Sequence, residues 1–259
     1  MNTTLISFNQ IARDMDASIG RLSERADIQR EVDYYRETIE AIKSPEDLVA
    51  DTRLFDFAMR AHGLEDMAYA KAFMLKVMKE GRDADDAFAN TLTDPRYRDF
   101  AATFDFARYG ETATTFTKAR EGVVERYLVQ SLEAEAGASD PGVRLALYFQ
   151  RKAPQIDNYY AILADKALAE VVRTSLGLPD SMAMLDIDRQ VEIISEKLSL
   201  DDLKDPEKID EMLQRFANLW QLKGGGPQAG QSTVASLLMP SASRALSPDL
   251  LLQMQQLGR

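Results

Sequence analysis

Cysteine is missing from all 259 residues of the chain. Disulfides, thiolate nucleophiles and thiolate metal sites are therefore excluded. The absence does not fix a compartment, since a cysteine-free chain suits reducing and oxidising spaces alike. Histidine occurs once, at His62, so no pair of imidazoles can share a metal. Basic charge is scarce: 31 Lys and Arg face 42 Asp and Glu, for a net charge of −11. Nucleic acid is therefore not expected as a partner, because phosphate binding needs clustered Lys and Arg. Adhesion to an anionic membrane surface is not expected for the same reason. No stretch reaches the ~18 uninterrupted apolar residues of a membrane span. The opening segment "MNTTLISFNQIARDMD" has no basic region and no long apolar run, so it does not read as a cleavable signal. These absences predict a soluble, cytoplasmic protein.

Apolar residues make up 45% of the chain, enough for a sizeable core. Period-2 alternation bounded by turn residues is missing. Leu, Ile, Val, Phe and Met recur instead at three- and four-residue spacing, as in Ile187, Val191, Ile194 and Leu198. The fold class read from this pattern is all-α, with nine to eleven helices. Their starts are marked by a capping residue followed by proline at the first helical position: Ser44-Pro45, Asp94-Pro95, Asp140-Pro141, Asp205-Pro206 and Ser247-Pro248. One helix is expected from Ser44 to His62, stopped by Gly63 in a left-handed conformation.

Residues 28–66 align with 142–180 without a gap, at an offset of 114, with nine identities in 39 positions. Chance would give roughly two, so the alignment reads as an internal repeat. The identities include Tyr34/Tyr148, Asp51/Asp165, Gly63/Gly177, Leu64/Leu178 and Asp66/Asp180. Later, "TDPRYRDFAATF" faces "KDPEKIDEMLQRF", pairing Pro95 with Pro206. Gly63, Asp66, Pro95, Gly177, Asp180 and Pro206 are thus structural candidates, with the two aspartates positioned to cap the next helix. The implied architecture is a bundle-like body of two tandem, related helical units. An N-terminal helix spans 1–27, the first unit 28–109 and the second 142–222. One long polar helix over 110–141 connects the units. The segment 223–259 is a Gly-, Ser- and Gln-rich flexible tail.

No motif carries chemistry. His62 shares a helical stripe with Leu48, Thr52, Phe55 and Met59, and its echo is Leu176, which points to packing. A position in a last helical turn also suits a charged imidazole. "GRDADDAF" lacks the Gly and distal Glu of a calcium loop. Asp83 there, and Asp186 in "LDIDRQ", read as helix caps with acids in the first turn. "GGPQAGQS" has Gln231 where a phosphate-binding loop needs Lys, and no strand precedes it. The aromatic pairs Tyr34-Tyr35, Tyr148-Phe149 and Tyr159-Tyr160 lack basic interleaving and suit core packing between the units. No catalytic residue, metal ligand or cofactor site is expected. In the tail, Leu250, Leu251, Met254 and Leu257 fall on one helical face and form a candidate partner-binding segment.

Several segments together carry a family likeness: "VDYYRETIEAIKSPEDLVADTRLFDFAMRAHGLEDMAYAKAFM", "NTLTDPRYRDFAATFDF", "GVRLALYFQRKAP", "ILADKALAEVVRTSLGLP", "DIDRQ" and "LQRF". Over about residues 4–222 the chain resembles an alphaproteobacterial family of unknown function whose members are often encoded in flagellar gene clusters. The resemblance implies a flagellar association and no catalytic residues. It leaves open export through a flagellar-type secretion route. Two functions are then expected to compete. One is a non-enzymatic, flagellum-associated protein acting through protein–protein contacts, with a flagellar component as the expected partner. The other is a small-molecule-binding module or enzyme with a pocket between the two units.

Overall fold

The computed structural model describes residues 2–225, and the tail leucines and methionine singled out above, Leu250, Leu251, Met254 and Leu257, lie outside them. The described residues are all-helical and hold no strand. They form fifteen α-helices and six short 3-10 turns, more than the sequence periodicity suggests. The excess arises from aspartates that interrupt apparently continuous amphipathic stretches.

The N-terminal segment, expected as one helix, is two: α1 (Thr3–Ala12) and α2 (Met15–Ser23). Asp14 separates them by accepting from the Ala17 N–H at 3.1 Å. After α3 (Ala26–Thr38) the stretch 44–62 also divides, into α4 (Pro45–Ala50) and α5 (Thr52–Ala61). Asp51 sits between them in an extended conformation. Its carboxylate accepts the Leu54 N–H at 2.9 Å and the Tyr34 hydroxyl at 2.6 Å. The expected stripe is therefore split, and Thr52 is exposed while Leu48, Phe55, Met59 and His62 are buried.

The chain continues through α6 (Lys71–Glu80), α7 (Phe88–Thr91), α8 (Pro95–Thr103) and α9 (Phe106–Tyr109). The connecting segment is not one helix from Gly110. It opens with a 3-10 turn over Gly110–Thr115, and α10 begins only at Glu121 and runs to Ser139. Nor is α10 a polar strut, since Val123, Val124, Tyr127, Ser131, Leu132 and Glu133 are buried. The remaining helices are α11 (Pro141–Lys152), α12 (Tyr159–Ala164), α13 (Lys166–Ser175), α14 (Ile187–Ser195) and α15 (Pro206–Leu222).

Element boundaries recur at the offset of 114. Helices α4 and α12 match residue for residue, as do α5 and α13. Asp165 does what Asp51 does: it accepts the Leu168 N–H at 3.1 Å and the Tyr148 hydroxyl at 2.5 Å. Gly63 and Gly177 have φ of +68° and +67°. At each, the next leucine N–H bonds back five residues: Leu64 to the Met59 carbonyl at 2.8 Å and Leu178 to Arg173 at 2.9 Å. This is the Schellman closure, in which a left-handed glycine costs less than any residue bearing a Cβ.

Two hydrophobic cores result. The first draws on α2 to α10 and includes Tyr35, Phe55, Phe57, Met59, Phe100 and Phe104. The second draws on α11 to α15 and includes Phe149, Ile162, Val172, Leu213 and Phe216. The aromatic pairs pack within these cores rather than between the units. Tyr35 is fully buried in the first core and Phe149 in the second, whereas Tyr160 is half-exposed.

The helix ahead of each unit crosses to the other. Phe8 of α1 is buried in the second core, and α1 packs on α11 and α15. Helix α10, which precedes the second unit, lays Val123, Val124 and Tyr127 into the first core and packs on α5. One polar contact holds the crossing of α1, and another ties α10 to α11, the helix that follows it. The Thr4 hydroxyl donates to the Asp140 carboxylate at 2.7 Å with both groups buried, and Arg151 forks onto buried Glu133 at 2.8 and 3.0 Å.

Candidate functional site

His62 ends α5, and its ring is buried. Nδ1 lies 2.8 Å from the Ala58 carbonyl, and Nε2 lies 3.1 Å from the Thr103 hydroxyl. A carbonyl only accepts, so Nδ1 carries the proton and Nε2 is the acceptor. Thr103 also reaches the Asp99 carbonyl at 2.9 Å, so its single hydroxyl proton is shared between two acceptors. The rings of Phe100 and Phe104 enclose the imidazole at centroid distances of 4.9 and 5.9 Å. Burial pushes the His62 pKa down to about 3, and the charges of Arg126 and Lys152 add to the fall. The macrodipole at a helix end, which favours a cation, is thus overruled by desolvation.

This burial gives a pH signature. A folded pKa below the ordinary 6.5 means that the unfolded chain binds the proton first. The stability tied to neutral His62 is whole above pH 6.5 and is lost as pH falls toward 3. The slope is about 1.4 kcal/mol per pH unit. Denaturant titrations of wild type and His62→Leu at pH 6.5 and 5.0 should show the wild type losing roughly 2 kcal/mol more than the variant. Equal losses would refute a neutral, desolvated histidine.

Of the other residues singled out in the sequence, Pro95 and Pro206 occupy the first turns of α8 and α15, with Asp94 and Asp205 as caps. Asp66 and Asp180 do not cap a following α-helix. Each lies in a 3-10 turn, Glu65–Met67 or Asp180–Met184, and neither turn has a side-chain cap. The Asp180 carboxylate is drawn instead to Lys223 at 2.8 Å, which holds it below the usual carboxylate range. Asp83 is not a cap either. It lies in an irregular bend where Glu80 accepts the Phe88 N–H at 2.8 Å and Asn90 bonds the Arg82 and Ala84 carbonyls. Asp186 does cap α14, accepting from the Asp188 N–H at 3.0 Å. Among the described residues no three His, Asp or Glu side chains converge in metal-binding fashion, and no helix is long and apolar enough to cross a membrane.

The second unit presents an apolar surface that includes Tyr160, which the sequence reading assigned to core packing. Ile194 of the α14 stripe is fully buried, but Ile187, two stripe positions earlier, is 50% exposed. Beside it stand Met184 at 83%, Leu185 at 45% and Tyr160 at 50%. The Tyr160 hydroxyl donates to Asp188 at 2.8 Å, and the Gln190 amide donates to the Leu185 carbonyl at 2.8 Å, which fixes the segment. Scattered exposed hydrophobes are ordinary; here three on the segment 184–187 and Tyr160 of α12 gather with acids at their edge.

The model for the family described as "Protein of unknown function (DUF1217)" matches residues 61–209. This chain belongs to that family. It is also similar to a protein from Agrobacterium tumefaciens whose X-ray structure is known. The two share 46% identity and a TM-score of 0.79, over 86% of this chain and 94% of that one. No curated protein matches the chain. The part of this DUF1217 member that matches the family model includes His62, both Schellman glycines and the whole apolar surface from Tyr160 to Ile187.

Proposed function

We propose that this DUF1217 protein is a non-enzymatic, flagellum-associated factor. It acts through protein–protein contacts in the assembly, structure or regulation of the motility apparatus. The observation that carries the contact role is the apolar surface of Tyr160, Met184, Leu185 and Ile187, held in place yet uncovered. The flagellar setting rests on the likeness to chains encoded in flagellar gene clusters. We read the recurring boundaries, the paired Tyr–Asp bonds and the paired glycine stops as an internal duplication. In that reading the second copy freed its α14 face for a partner. The chain is taken to work from the cytoplasm.

The test is a double substitution, Met184→Asp with Ile187→Asp, introduced in a flagellated host. Both residues are exposed, so unfolding stability should stay within ~0.5 kcal/mol of wild type. Co-purification of flagellar components and spreading in soft agar should both fall. Normal motility in the deletion strain, with no flagellar component recovered by the wild-type chain, would sink the proposal.

A further inference from the structure

The apolar surface of the second unit lies beside the point where the described chain ends. Eight large hydrophobic side chains are exposed among the described residues, and five of them belong to the second unit: Tyr160, Met184, Leu185, Ile187 and Leu222. Leu222 closes α15, three residues before the described chain stops at Gly225. The next residue, Lys223, pairs at 2.8 Å with Asp180, which opens the 3-10 turn that ends on Met184. Such a turn rises ~2 Å per residue, so Asp180 and Met184 stand about 8 Å apart. The chain thus leaves the described body at the edge of the surface that the described residues leave uncovered.

The sequence that follows matches this surface in three ways. In length, Leu250 stands 25 residues beyond Gly225, and that much extended chain spans up to ~80 Å. In pattern, Ser247-Pro248 is a helix-start signal, and Leu250, Leu251, Met254 and Leu257 fall on one helical face behind it. In charge, residues 226–259 hold one acid, Asp249, against Arg244 and Arg259, in a chain of net charge −11. The surface is edged by Asp186 and Asp188, which accept from the Asp188 N–H and the Tyr160 hydroxyl. Neither carboxylate is in a salt bridge among the described residues, so negative charge there is uncompensated. A tethered segment also meets its surface at ~millimolar effective concentration, above what a second copy reaches in dilute solution.

We propose that residues 247–257 of this same chain dock on the surface, laying Leu250, Leu251, Met254 and Leu257 against Tyr160, Met184, Leu185 and Ile187. Arg244 and Arg259 flank the segment and bring positive charge to the acidic edge. The inference deepens the contact reading above and rests on it in taking this surface as a place of docking. The chain then carries its own competitor. A partner binds only by displacing the segment, and its apparent affinity falls with the fraction of chains in which the segment is docked.

The absence of cysteine makes a direct test clean. Met184→Cys with Met254→Cys, in the full chain, introduces the only two thiols. Mild oxidation with copper–phenanthroline should join them within one molecule, at a rate independent of protein concentration. Adding Leu250→Asp and Leu257→Asp keeps the tether but removes the apolar face. The rate should then fall about tenfold or more, since burying a single leucine shifts an equilibrium by at least that factor. Met184 is exposed and the other three positions lie outside the described body, so folding is not at stake. Equal rates with and without the two aspartates, or no disulfide at all, overturn the proposal. A disulfide-linked dimer as the main product also overturns it and assigns the surface to a second copy. The partner reading is decided separately, by motility and co-purification in the flagellated host.

Discussion

Phe57→Ala is expected to remove about 3–5 kcal/mol of stability, a large part of what a domain of this kind holds. Phe57 is the middle ring of a three-ring stack. Tyr35 lies on one side at 4.4 Å and 19°, and Tyr127 on the other at 3.8 Å and 12°. The three rings come from α3, α5 and α10, so one side chain ties three helices together. Tyr35 is fully buried, and its hydroxyl reaches the Ala119 carbonyl at 2.6 Å, where the chain turns into α10. Removing the central ring leaves a void between two stacked partners that cannot close on each other without shifting α10. Equilibrium unfolding in urea should show the midpoint falling with the slope little changed. Phe57→Leu should recover much of the loss, since it refills most of the volume. A loss under 1 kcal/mol for the alanine variant would mean that α10 is not held through this stack.

The parts of this fold legible in the sequence are those decided within a few residues. Ser44, Asp94, Asp140 and Asp205 cap their helices because a short polar side chain stands just ahead of a proline. Gly63 and Gly177 stop theirs because only glycine takes a left-handed φ without strain. The break at Asp51 was not legible from local pattern, since residues 44–62 read as one amphipathic stripe. What ends α4 there is a carboxylate also bonded to Tyr34, on another helix. A signal was nonetheless present: Tyr34/Tyr148 and Asp51/Asp165 are both identities of the 114-residue echo, and each pair turned out to be one hydrogen bond.

The candidate sites were less legible still. Ile187, Val191 and Ile194 keep regular helical spacing, which reports an apolar face but not whether anything covers it. His62 drew attention as the single histidine. Its isolation in sequence was a better guide than its acidic neighbours, since neither Glu65 nor Asp66 bonds the ring.

The exchange of leading helices makes a second large prediction, at Asp140. This buried carboxylate has two tasks. One oxygen accepts the Gly142 N–H at 2.9 Å and caps α11, and the other accepts the Thr4 hydroxyl from α1 at 2.7 Å. Asp140→Ala removes the cap, costing about 1 kcal/mol, and strands a buried hydroxyl, costing about 1–3 kcal/mol more. A total near 2–4 kcal/mol is expected. Asp140→Asn keeps an acceptor oxygen and should lose less. The pairing with Thr4 is separable by a double-mutant cycle. Thr4→Val with Asp140→Ala removes both partners, so the pair should cost less than the sum of the single changes. Strict additivity would mean that Thr4 does not depend on Asp140, and that α1 is held to the second core by Phe8 and its apolar neighbours alone. A non-additive result would make the Thr4–Asp140 bond the polar lock of the crossing, placed where α10 hands the chain to α11.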